Sequence, residues 1–335
     1  MISVNCGACG KSYSLKPETA GKTFVCQLCN NKITIPSVLA YGGGFDRETP
    51  GYFIFLLDQS GSMNRPVGGG EGVLKSDALA DNLNSWIDNL LVMCAGSSGI
   101  LPYLDVSVIG YSTDDGGGPI IEPALVGPLA GRERVGIDEL AQHPAREEET
   151  MQQFFDEEPN EIVEVPYTHR IWVEPKASYG APMSSALVKA YELADEWTQQ
   201  HPDSLPPIVI NFSDGESIEG DPRDDADSLK SISTNDGNVL LLNCQLSEME
   251  TEGIVFPSSS TELLVTGDPH AQTLFDISSV IPETMLESGK ALGFDLSRGA
   301  HCMAFNAEAV GFIRFFEVGS RLFPRDIWGF DNRKQ

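Results

Sequence analysis

The sequence predicts an α/β domain built on a mostly parallel sheet with helices on both faces, preceded by a small cysteine-bearing module. Three observations carry the prediction. Short unbroken apolar runs alternate along the chain with apolar residues at helical spacing, the pattern of repeated βαβ units. Two of the runs lead into an aspartate, Asp58 and Asp214, at the point where open parallel sheets present their carboxyl ends to a ligand. Two C-x-x-C pairs stand apart at the N-terminus, ahead of a glycine-rich join.

Residues 1–38 form the small module, 39–50 a linker centred on Ala40-Tyr41-Gly42-Gly43-Gly44-Phe45, and 51–335 the main domain. Tyr52-Phe53-Ile54-Phe55-Leu56-Leu57 is aromatic and branched throughout, as expected of a strand buried on both faces. Leu79, Leu83, Trp86, Ile87, Leu90 and Leu91 recur at helical spacing behind a candidate cap at Ser76. Residues 104–111 alternate and read as a second strand. Leu187, Ala190, Tyr191, Ala194 and Trp197 mark a further helix, followed by the strand Ile208-Val209-Ile210-Asn211-Phe212. A helix from about Pro222 precedes a strand over 239–246, and Ala309, Phe312, Ile313 and Phe316 mark a closing helix. Two stretches exceed this plan. Residues 114–176 hold Gly116-Gly117-Gly118, the acidic runs Arg146-Glu147-Glu148-Glu149 and Asp156-Glu157-Glu158, and an alternating strand candidate over 162–173; they read as an elaboration of the sheet edge with a solvated acidic face. Residues 247–275, rich in Ser, Thr and Glu, read as a second surface excursion.

At 335 residues and 41% hydrophobic composition the chain can bury a full-sized core. Apolar runs such as Val239-Leu240-Leu241-Leu242 fall far short of the roughly 20 residues of a membrane helix, and Met1-Ile2-Ser3-Val4-Asn5-Cys6 has none of the parts of a secretory signal. A cytoplasmic location is expected, with no membrane partner. Lys and Arg number 22 against 49 Asp and Glu, a net charge of −27 that repels phosphate backbones and argues against nucleic acid. The first 38 residues differ, with Lys11, Lys16, Lys22 and Lys32 against Glu18 alone, but a zinc-bound set of four thiolates leaves only a weak positive balance there.

Cys6-Gly7-Ala8-Cys9 and Cys26-Gln27-Leu28-Cys29 are separated by 16 residues, the spacing at which four thiolates close a tetrahedral zinc site. Gly10 and Asn30 suit the tight turns that point two sulfurs at one ion. Tyr13, Leu15, Phe24, Val25, Ile33 and Ile35 are too few to fold such a module unaided, so a structural zinc ion on Cys6, Cys9, Cys26 and Cys29 would supply the deficit. A redox pair is the competing reading, weakened by the lack of a βαβ setting. Cys94, Cys244 and Cys302 lie singly in apolar surroundings, which fits reduced thiols better than disulfides. The segment resembles the short zinc ribbons that begin many bacterial signalling proteins.

Asp58-Gln59-Ser60-Gly61-Ser62 offers three oxygen-bearing side chains at alternate positions directly after the first strand, and Ser213-Asp214-Gly215 supplies a second carboxylate after a later one. Carboxylates with hydroxyls form a hard-oxygen set suited to Mg2+ or Mn2+. Acidic neighbours Glu216 and Glu219 read as solvated loop residues, and His143, His169, His201, His270 and His301 show no ligand spacing.

Taken together, D-x-S-x-S after an apolar strand and a later strand ending in D-G resemble the metal-ion-dependent adhesion site of von Willebrand factor A (vWA) domains, in particular those of the bacterial tellurite-resistance type. The resemblance covers roughly residues 51–320. It implies a Rossmann-like fold, Asp58, Ser60, Ser62 and Asp214 as the matching metal-site positions, and a non-catalytic role in which a partner's carboxylate completes the metal shell. It departs at Ser178-Tyr179-Gly180-Ala181-Pro182-Met183, where Ala181 stands in place of the usual threonine ligand. Water in the vacated position and a site that works without metal are both open on the sequence. The family context implies an interaction or scaffold protein beside a kinase, phosphatase or AAA+ ATPase in bacterial signalling, stress or defence. A metal-dependent hydrolase using Asp58 and Asp214 is the second class, opposed by the lack of a His or Lys base in either motif. A Ro-like RNA binder is the third, opposed by the net charge.

Overall fold

A computed structural model describes residues 2–5, 12–15, 23–25, 28–29, 32–34, 48–96, 99–156, 161–283, 285–286 and 296–306. The uninterrupted apolar run becomes the strand Gly51–Asp58, buried along its whole length. It pairs in parallel with Leu104–Thr113 on one side and Ile208–Ser213 on the other. Ile208–Ser213 pairs in parallel with Leu240–Gln245, and that strand with Met303–Phe305. The parallel strands therefore lie in the order second, first, third, fourth, fifth by position in the chain, and the order reverses between Gly51–Asp58 and Ile208–Ser213. Antiparallel strands close the edges: Pro119–Pro123 and Val135–Gly136 on Leu104–Thr113, and Ile254–Val255 on Met303–Phe305.

Alternate side chains of the first strand feed two cores. Phe53, Phe55 and Leu57 pack with Leu79, Leu83, Trp86 and Ile87 of helix α1 (Lys75–Met93), joined by Leu140 of α2 (Ile137–Gln142). Tyr52, Ile54 and Leu56 face Leu187, Ala190 and Trp197 of α3 (Met183–Gln200), with Leu229 of α4 (Arg223–Ser231) and Leu274 of α5 (Ala271–Ile277). The fold is thus an α/β layer structure with helices on both faces of a mostly parallel sheet.

Several expectations need correction. Ser76 does not cap α1, because the helix already begins at Lys75 behind Leu74 and Ser76 is buried inside its first turn. Tyr191 is half-exposed on the outer side of α3. Only part of 114–176 elaborates the sheet edge: Arg146–Asp156 and Glu161–Ile171 form their own two-stranded antiparallel ribbon. Its base is tied to α1, where Asn84 accepts from the amides of Trp172 and Val173 at 2.9 and 3.0 Å, and Asp88 pairs with Arg170 at 2.9 Å. Residues 146–149 are exposed, as a solvated acidic run requires. The 247–275 excursion contributes the edge strand Ile254–Val255 and a turn capped by Ser259 and Glu262.

At the N-terminus, Ile2–Asn5 pairs with Ser12–Leu15 and Thr23–Val25 with Lys32–Thr34. Cys6, Cys9 and Cys26 lie outside the described residues, as does the closing helix expected around Ala309, Phe312, Ile313 and Phe316. Among the described residues no helix is long and apolar enough to cross a membrane.

Candidate functional site

The parallel strands on either side of the order reversal end level with one another: Leu57 pairs with Phe212, and Ser213 with Gln245. Asp58 and Ser213-Asp214 thus arrive together at the crevice above the switch point, the place where this architecture binds ligands. Alternation along the strands decides which way each points. Asp58 shares a face with Tyr52, Ile54 and Leu56 and meets Ser213, whose hydroxyl donates to Oδ2 of Asp58 at 2.7 Å. Asp214 follows Ile210 and Phe212 toward α1, where the ammonium of Lys75 donates to its Oδ2 at 3.0 Å.

The loop after Asp58 folds back on its carboxylate. The Ser60 amide donates to Oδ1 of Asp58 at 2.9 Å, and the Ser60 and Ser62 hydroxyls lie 3.0 Å apart. Asp58, Ser60 and Ser62 are all buried. Gly61 is needed for close approach: its amide donates to the Tyr179 carbonyl at 2.7 Å, and a Cβ there would sit 3.2 Å from that oxygen. The Ser178 amide donates to the Gln59 carbonyl at 2.6 Å, so the segment before α3 runs alongside the loop. Ala181 is buried within it, and its carbonyl already accepts from Ile218 at 3.1 Å. No side-chain oxygen comes from position 181.

Behind Asp58 a buried polar chain crosses the sheet. Tyr111 donates to Asn211 at 2.9 Å, Asn211 to Asn243 at 3.0 Å, and Asn243 to Ser278 at 2.9 Å. Burial, followed by the charge of Asp58, pushes the Tyr111 hydroxyl well above its ordinary range, which keeps it a donor. Burial also pushes the carboxyl of Asp58 up to about 7, with the nearby charge of Asp214 the next cause, opposed by the hydrogen bonds from Ser60 and Ser213.

Asp214 has a different environment. Its Oδ1 accepts the Glu216 amide at 3.2 Å, and its ion pair with Lys75 is 2% exposed on the lysine side and 4% on the aspartate side. Lys75 also reaches Oε1 of Glu248 at 3.2 Å, and Arg65 reaches the same carboxylate at 3.1 Å. A closed loop delivers both cations. The Lys75 amide donates to the Arg65 carbonyl at 2.9 Å, Pro66 bridges Leu74, and the chain between turns through Gly68, Gly69 and Gly70, all in the left-handed region where only glycine is unstrained.

Sequence reasoning placed Asp58, Ser60, Ser62 and Asp214, and the fold brings all four to one end of the sheet. It missed Ser213, Lys75 and Glu248. Ser213 carried a signal, being the residue between an apolar strand and Asp214; Lys75 carried none. Among the described residues no three His, Cys, Asp or Glu side chains gather around one point, so any cation here would depend on hydroxyls joining the two carboxylates. The donor chemistry fits a small hard cation: two buried carboxylates at neighbouring strand ends, with two hydroxyls in contact beside Asp58. Of the zinc set only Cys29 is described, and it is exposed.

No family model and no curated protein matches the chain. Among solved structures, the crystal structure of the pilus adhesin SpaC from Lactobacillus rhamnosus GG aligns over 84% of this chain at 13% identity and a TM-score of 0.44. The chain spans 31% of that adhesin, and a likeness at this level bears on neither the fold nor the function described above.

Proposed function

We propose that the chain is a non-catalytic interaction protein of the vWA type, which presents a Mg2+- or Mn2+-binding loop to a protein partner. The observation that carries this reading is the convergence of Asp58, Ser60 and Ser62 with Ser213-Asp214 at the strand-order reversal. Asp58, Ser60, Ser62 and Asp214 would hold the ion, which when bound supplies an open coordination position for a partner's carboxylate. The chain's own contribution is rigidity: Ser213 and the Ser60 amide fix Asp58, and the polar chain from Tyr111 to Ser278 fixes the strand ends beneath it. Exposed Tyr179, against the loop at Gly61, and exposed Ile218, against the neighbouring segment at Ala181, offer apolar contact at the rim.

An assembled complex fits these residues better than turnover. Lys75 is tied to Asp214 and Glu248 as an ion pair and is not held apart as a base. The reading includes a structural zinc on Cys6, Cys9, Cys26 and Cys29, a cytoplasmic setting, and a kinase, phosphatase or AAA+ ATPase as the class of partner. Capture of partners from the source cell with wild type and Asp58→Ala, each with and without added Mg2+, tests it. A protein retained only by wild type in Mg2+ supports the proposal; identical partners in all four arms would sink it.

A further inference from the structure

We propose that Lys75 sets the cation affinity of this site: its ammonium holds the Asp214 carboxylate, and a divalent ion that takes Asp214 must displace it. The inference rests on the reading of Asp58 and Asp214 as parts of one cation site.

Charge counting gives the reason for exchange. With both carboxyls ionised, as a bound dication requires, two aspartates and one ammonium leave the buried site at one net negative charge; adding a dication with Lys75 in place makes it net positive, while moving Lys75 out brings the site to neutrality. A buried excess charge is disfavoured, so ion and ammonium compete. The structure also supplies a place for the displaced ammonium. Lys75 already donates to Oε1 of Glu248 at 3.2 Å, and Glu248 is 39% exposed, at the outer end of the same side chain's reach. Arg65, 54% exposed, shares Glu248 from the solvent side. Lys75 therefore sits between an inner acceptor, Asp214, and an outer one, Glu248, and shifting toward the outer one leaves Asp214 with a free oxygen. The backbone need not move, because the Lys75 amide is pinned to the Arg65 carbonyl across the closed loop. Its role is that of a positioning residue.

Two substitutions move the affinity in opposite directions, which a merely structural lysine would not do. Mg2+ titrated calorimetrically into the full chain reads it, with Asp58→Asn marking the heat that belongs to this site. Lys75→Met removes the competitor and tightens Mg2+ binding by about tenfold or more. Glu248→Gln leaves an oxygen but removes the charge of the outer acceptor, so Lys75 holds Asp214 harder and binding weakens by roughly three- to tenfold. Wild-type affinity in Lys75→Met, with Asp58→Asn still silent, would overturn the role of Lys75 and leave the cation site standing. No Mg2+ binding by any of the proteins would overturn both. Should Lys75→Met fail to fold, the surface change Glu248→Gln decides alone, and an unchanged or tighter dissociation constant overturns the proposal.

Discussion

Asp58 and Asp214 are buried at the ends of neighbouring strands, yet the protein settles their charges in different ways. Asp214 has a cation of its own, Lys75, backed by Glu248 and Arg65. Among the described residues Asp58 meets donors and no cation, the Ser60 amide and the Ser213 hydroxyl, and its carboxyl is pushed up to about 7 by burial and then by Asp214. The α1 side of the site is thus neutralised by the chain itself, while the α3 side is met among the described residues by hydrogen-bond donors alone.

The largest effect should come from breaking the satisfied half. Asp214→Ala deprives a buried ammonium of its inner partner and should destabilise the fold by about 3–5 kcal/mol in chemical denaturation. The double change Lys75→Met with Asp214→Leu removes both charges and should recover most of that loss; no recovery would mean that Asp214 matters for reasons other than its ion pair.

Asp58→Asn should act in the opposite direction, stabilising the protein at neutral pH without divalent ions by roughly 2–4 kcal/mol. The sign follows from the raised value. Well below pH 3.8 Asp58 is protonated in both folded and unfolded chains; as pH climbs from the ordinary 3.8 to about 7 the unfolded chain releases its proton first, so the folded state loses stability across that window. Denaturation at pH 5 and pH 8 should show this slope in wild type and not in Asp58→Asn. A smaller change, Ser213→Ala, removes a donor to Asp58 and should cost about 1 kcal/mol while extending the same loss of stability to higher pH. Ala181→Thr is read by affinity: it should tighten Mg2+ binding a few-fold if the segment beside the loop is where a fifth ligand belongs; unchanged affinity would place that ligand elsewhere.

The two halves also differ in how far the sequence reveals them. The strand carrying Asp58 is apolar from Tyr52 to Leu57 because it is buried on both faces, and Ile208–Ser213 is mostly apolar before Ser213 and Asp214, so both carboxylates are legible as strand-end residues. Lys75 is not. A lysine in the first turn of a helix normally reads as solvated, and this one is buried only because Asp214 and Glu248, 139 and 173 residues along the chain, fold onto it. The cap expected at Ser76 fails for a related reason: the loop closed through Pro66, Leu74 and the Arg65 carbonyl starts α1 at Lys75 without any side-chain cap. The ribbon of 146–171 shows the limit of alternation, which identifies a strand but not its partner, since the contacts that anchor it come from Asn84 and Asp88 on α1.

If Asp58 helps to hold a divalent cation, as proposed, occupancy must show in the stability of the whole chain. Thermal unfolding of the full chain with increasing Mg2+ tests it most directly, with wild type compared to Asp58→Asn. Binding through Asp58 should stabilise wild type by about 2.7 kcal/mol at a hundredfold excess over the dissociation constant and leave Asp58→Asn unmoved. Equal Mg2+ responses in the two proteins, or none in wild type, would contradict it.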